Sequence, residues 1–115
     1  MTIPTEHAEQ SAFVAWFRAS FKDVRIFAIP NGSPRNIVIA QKLKLEGVSP
    51  GVPDLFIPAW RLWIEFKRVR GGTVSTEQDG WMTYLSECGY VCFVARGCED
   101  GKKKIEDFIK LFGTN

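Results

Sequence analysis

Asp54, Glu65 and Lys67 are charged residues inside GVPDLFIPAWRLWIEFKR, a stretch that otherwise reads as two apolar strands. Two carboxylates brought together repel unless positive charge lies between them. A lysine supplies one such charge. A divalent cation supplies two and takes oxygen ligands, and Mg2+ favours one or two protein carboxylates, waters and a substrate phosphate oxygen. Water on such a cation is acidified and can attack a phosphodiester, while a lysine orients it or offsets developing charge. The plain alternative is an ion pair of Glu65 with Lys67 or Arg68, with Asp54 a turn residue after Pro53.

Strand parity separates these readings. Side chains alternate along a strand, so Leu62, Ile64 and Phe66 share one face and Trp63, Glu65 and Lys67 the other. A two-residue loop at Ala59-Trp60 pairs Pro58 with Arg61 and, counting inward, Asp54 with Glu65. Cross-strand partners share a face, with Cβ atoms roughly 5 Å apart. A three-residue loop would send Asp54 to the opposite face. The even loop gathers two carboxylates and a lysine, with the Phe66 main-chain carbonyl as a further candidate metal ligand.

Two polar residues fall on apolar helix faces. Glu9 lies in the stripe of Ala12, Phe13 and Trp16, and Glu6 lies about 60° away. An inward carboxylate is costly unless paired or metal-bound, although a first-turn glutamate is also favoured by its own helix dipole. Gln78 shares the stripe of Trp81 and Leu85 and stands three residues after Ser75, the spacing of a capping box.

Helices are expected at 6–20, 35–46, 75–88 and 102–112, and strands at 25–29, 54–58, 62–68 and 90–95. Residues 30–32 read as a turn. The strands at 54–58 and 62–68 are too closely joined for a crossover and form an antiparallel hairpin. The run YVCFVA reads as a buried strand that can lie parallel to its neighbour. The fold class is α/β, with a mixed central sheet flanked by helices. The 115 residues, 45% apolar with nine Phe and four Trp, fit a single domain, 1–115.

Other chemistries lack their residues. His7 is the sole histidine, and neither G-x-x-x-x-G-K-[ST] nor G-x-G-x-x-G occurs, so no nucleotide cofactor is expected. Cys88, Cys92 and Cys98 read as reduced intracellular thiols. No apolar run approaches a membrane span, and the N-terminus lacks signal-peptide features. The net charge of +2 proves no nucleic-acid partner. Arg35, Lys42 and Lys44 before the motif, and Arg68 and Arg70 after it, are candidate DNA contacts. Lys102-Lys103-Lys104 reads as a solvated helix start, and Trp60 at the hairpin tip reads as a residue that packs on a partner subunit rather than one that stacks on a base.

Taken in order, Glu9-Gln10, Ile29-Pro30-Asn31-Gly32, Gly47 to Asp54, Ile64 to Lys67 and Ser75 to Trp81 resemble the virus-type replication-repair nuclease (VRR-NUC) domain. That domain is a branch of the PD-(D/E)xK superfamily, with a restriction-endonuclease-like core. The resemblance implies a Mg2+- or Mn2+-dependent DNA endonuclease. Asp54, Glu65 and the Phe66 carbonyl would hold the metal, Lys67 would be the catalytic lysine, and Glu9 and Gln78 the accessory residues. It further implies a homodimer that cuts branched DNA such as four-way junctions, in the cytoplasm of a bacterial cell and of host or phage origin. A nuclease without branch preference, a non-catalytic DNA-binding module and a structural subunit remain as alternatives.

Overall fold

Thr5 starts the first helix, α1 (Glu6–Ser20), by accepting a hydrogen bond from the Ala8 amide at 3.0 Å. The computed structural model describes residues 2–30 and 36–113. After α1 come β1 (Phe27–Ala28), α2 (Ile37–Leu45), β2 (Leu55–Ile57), β3 (Leu62–Lys67), α3 (Thr76–Glu87), β4 (Val91–Arg96) and α4 (Cys98–Phe112). The strands form one sheet in the order β1-β2-β3-β4. The first two pairings are antiparallel and the last is parallel, so the sheet is mixed as expected.

One face of the sheet is the core. Leu55, Ile57, Leu62, Ile64 and Phe66 are buried together with Phe13 and Phe17 of α1 and Ile105 and Phe108 of α4. Trp60 turns inward at the hairpin tip. Its ring lies 5.4 Å from that of Phe17, 5.2 Å from Phe21 and 5.6 Å from Phe108. The first two pairs are edge-on and the third is stacked, and rings so arranged at such distances pack favourably.

Besides β1, which spans only Phe27–Ala28 of the expected 25–29, the structure differs from the sequence expectation in three places. First, α4 begins at Cys98 rather than 102. Gly101 looks like a helix breaker in sequence, yet it lies inside the helix where α1 crosses. A Cβ there would stand 2.8 Å from Phe13 Cδ1 and 3.3 Å from Phe66 Cζ, so the missing side chain sets the approach of the two helices. Second, Lys102, Lys103 and Lys104 are therefore not a solvated helix start. Lys102 pairs with Glu99 at 3.0 Å, Lys103 with Asp107 at 3.3 Å and Lys104 with Asp100 at 3.1 Å. Third, β4 is an edge strand on which only Ala95 is fully buried. Its apolar run reflects helices packing near it, not a central position.

Helix α2 is capped by Asn36, which accepts from the Ile39 amide at 2.8 Å. It buries none of its residues. Ile37, Val38 and Leu45 are 73%, 74% and 90% exposed. Asn31, Gly32 and Arg35 lie outside the described residues.

Gly101→Val is expected to destabilise the fold by about 1–3 kcal/mol, the usual cost of overpacking. Urea unfolding checks this, and Gly80→Ala, where a Cβ meets nothing within 4 Å, is the control.

Candidate active site

The hairpin register carries Asp54 to Glu65. Ile57 pairs with Leu62, Phe56 with Trp63 and Leu55 with Ile64, so the next position inward is Asp54 opposite Glu65. This is the register that the even loop requires, although the connection is a 3-10 turn (Pro58–Trp60) closed by Arg61. Asp54 is pinned from two strands. Its carbonyl accepts from the Ile29 amide at 2.8 Å, and its Oδ2 accepts from the Phe66 amide at 2.7 Å. Within a strand a residue's N–H and C=O point the same way, so the Phe66 carbonyl faces the Asp54 side of β3.

Glu65 is 1% exposed. Its Oε2 accepts from Gln78 Nε2 at 3.0 Å and lies 3.6 Å from Lys67 Nζ. Its Oε1 is buried without a hydrogen-bond partner. One carboxylate oxygen from each of Glu6, Asp54 and Glu65 lies within 4.8 Å of the others. Burial first, and then the neighbouring Asp54, push the Glu65 carboxyl up to about 8, with Lys67 opposing and Glu6 adding to the rise. Burial also raises Glu6, opposed by Lys67 and assisted by Asp54. An orphaned buried oxygen inside three mutually repelling carboxylates fits a divalent cation, which wants oxygen donors and cancels their charge.

Gln78 fills both roles that its sequence position offers. Its amide donates to Ser75 Oγ and its Oε1 accepts from the Ser75 amide, which completes the capping box. That box orients its Nε2 toward Glu65. Gly51 brings the helix start close. At φ +90° its Cβ would lie 2.6 Å from the Glu77 carbonyl carbon and 2.8 Å from the Gln78 nitrogen. The loop before Asp54 therefore packs backbone to backbone on α3, and a side chain at 51 would force the two apart.

The carboxylate that joins Asp54 and Glu65 in this cluster is Glu6, and Glu9, the one expected from the sequence, lies outside it. Glu9 Oε2 lies against Gly97 at the start of α4, where a Cβ on that glycine would collide with it. Counting Ala12 in the apolar stripe misleads, because Ala12 is exposed and α1 buries Phe13 and Phe17. At about 100° per residue, Glu6 is roughly 20° from the direction of Phe13 and Glu9 roughly 40° to the other side. Centring on the bulky aromatics alone would have found Glu6.

The expected DNA contacts are dispersed. Lys42 and Lys44 are exposed on the last turn of α2. Arg68 donates to the Ile3 carbonyl at 3.4 Å, and Arg70 is exposed after β3. A cleft of about 690 Å³ opens from Glu6 and Asp54 between α1 and β1, and it is lined farther along by Gln10, Ser11, Val14 and Arg18. Among the described residues, no helix is long and apolar enough to cross a membrane.

No family model and no curated protein matches this chain. Among solved structures, it is similar to a protein described as a VRR_NUC domain protein. The two are 28% identical, the match covers 96% of this chain and 92% of that one, and the TM-score is 0.80. The mixed α/β sheet flanked by helices is consistent with a restriction-endonuclease-like core, and the likeness to this neighbour points to a nuclease-type domain. The resemblance drawn from the ordered motifs is borne out by this neighbour, to which the chain is similar over nearly its whole length.

Stability without metal carries a sign that can be tested. The folded chain holds the Glu65 proton more tightly than the unfolded chain, whose carboxyl titrates near 4.5. As pH rises from about 4.5 to about 8 the unfolded state has released a proton that the folded state keeps, so stability falls across that window. In EDTA the melting temperature should therefore drop between about pH 5 and pH 8, and Glu65→Gln should flatten the drop. Mg2+ should restore more stability at pH 8 than at pH 5, because its ligands must be deprotonated.

Proposed function

We propose that this chain is a divalent-metal-dependent endodeoxyribonuclease. It hydrolyses phosphodiester bonds, selects branched DNA such as four-way junctions, and works as a homodimer in replication, recombination or repair. The observation that carries the proposal is the buried carboxylate of Glu65, its Oε1 unpartnered and its Oε2 near Lys67, clustered with Asp54 and Glu6. The VRR_NUC neighbour supports the class of reaction. The unpacked apolar residues of α2 support a second copy as partner, and a two-fold pair of sites would suit symmetry-related strands.

Asp54, Glu65 and the Phe66 carbonyl would hold Mg2+ or Mn2+, with Glu6 completing the acidic set. When bound, the cation neutralises phosphate charge and lowers the pKa of water. The remaining work falls to the chain. Lys67, buried to 8% exposure, orients the attacking water and offsets charge developing on the phosphate. Its 3.6 Å approach to Glu65 holds it over the carboxylates. Gln78 fixes the Glu65 carboxylate by donating to Oε2, which leaves Oε1 without a protein partner. The Phe66 amide fixes Asp54 in the same way. No covalent enzyme intermediate is needed, since water is the nucleophile.

The test is cleavage of labelled four-way junction, flap and linear duplex in Mg2+, Mn2+ or EDTA. Cutting should require metal and favour the branched substrates. Asp54→Ala, Glu65→Gln and Lys67→Ala should each lower the rate by about a hundredfold or more. Glu6→Gln should cost about 10–100-fold, as supporting residues of metal sites do, while Glu9→Gln stays within about threefold of wild type. Binding without cutting in either metal would instead identify a non-catalytic DNA-binding module.

A further inference from the structure

The cleft between α1 and β1 has a charge gradient that the carboxylate site does not explain. One end is Glu6 and Asp54, and the far end is Arg18 with Ile26 and Phe27. There a second hollow continues it, lined by Arg18, Phe21, Lys22, Val24 and Arg25. Arg18 belongs to both and is anchored by donating to the Ile26 carbonyl at 3.4 Å. Lys22 and Arg25 are exposed and enter no ion pair among the described residues. Asp23 is the only carboxylate in the segment 18–26. The segment is therefore net basic, and its cations are free for an anion.

Geometry connects the two ends. Glu6 and Arg18 are twelve residues apart on one straight helix, about 18 Å at 1.5 Å per residue. Nucleotides advance about 3.4 Å each along a duplex strand, so roughly five nucleotides span that distance, fewer if the strand is extended. Phosphates need cations along their path and a metal at the scissile position, which is the order of charges found here. The middle of the cleft is walled by Gln10, Ser11, Val14 and Ala28. These side chains are short or uncharged and leave room for a backbone.

Resting on the proposed function, we propose that this cleft is the track of one nucleic-acid strand flanking the scissile phosphate. Arg18, Lys22 and Arg25 grip phosphates about three to five nucleotides away. None of these three falls among the basic residues that flank the catalytic motif in sequence. They lie together because α1 ends beside β1.

The experiment uses the full chain carrying Glu65→Gln, which removes cutting and one source of repulsion at the site. Anisotropy with labelled junction and single-stranded DNA in Mg2+ is compared with the same chain also carrying Lys22→Glu and Arg25→Glu. The double reversal should weaken binding at least about tenfold and lower the slope of log K against log salt by roughly 1.5–2. DNA trimmed to one nucleotide on that side of the cut should bind both proteins alike. Arg18→Lys should keep most of the binding, because its charge remains. Unchanged affinity and salt slope in the double variant, while the parent binds DNA, would overturn the track and leave the nuclease reading standing. A parent that binds no DNA under any metal would overturn both. Circular dichroism of each variant shows that a loss is not unfolding.

Discussion

Glu65 is the constraint on which the structure turns. Its carboxylate is almost wholly removed from water, stands with two other carboxylates, and has one lysine nearby. Two like charges about 4 Å apart cost on the order of 4 kcal/mol at an effective dielectric of 20. Without a cation, that cost is met by protonation, and the Glu65 carboxyl accordingly moves up to about 8. The same crowding that makes the site costly when bare makes it a strong ligand set for a divalent ion. A fold selected only for stability would place an apolar residue on this strand.

Holding such a cluster takes three independent pieces of backbone. The β2–β3 register brings Asp54 opposite Glu65, and the Phe66 amide fixes the Asp54 side chain. The capping box at the start of α3 holds Gln78, and Gln78 holds Glu65. Gly51 lets the loop before Asp54 touch α3 main chain to main chain. Each is a local device with its own reason, and together they hold Asp54 and Gln78 against Glu65.

The fourth piece is long-range. Helix α1 brings Glu6 to the cluster only because Phe13 and Phe17 dock on the core, and they dock closely because α4 offers Gly101 beneath Phe13. The aromatic residues from α1, the hairpin tip and α4 interlock around Trp60. Core packing thereby fixes the rotation of α1, and that rotation decides which glutamate enters the site and which one rests against Gly97.

The sequence by itself determined the local elements and the hairpin. Glu65 and Lys67 share a face by alternation along a strand, and Asp54 joins them because the turn takes the even register, where an odd one would have sent it to the opposite face. Gln78 was legible because a capping box is a contact three residues long. The choice of Glu6 over Glu9, the helical start of α4 at Cys98, the edge position of β4 and the inward turn of Trp60 were decided by tertiary structure. Each depends on how one element rotates or stacks against another distant in the chain. Periodicity fixes the angles within a helix, but only the shapes of Phe13, Phe66 and Gly101 meeting in the core fix where that helix points.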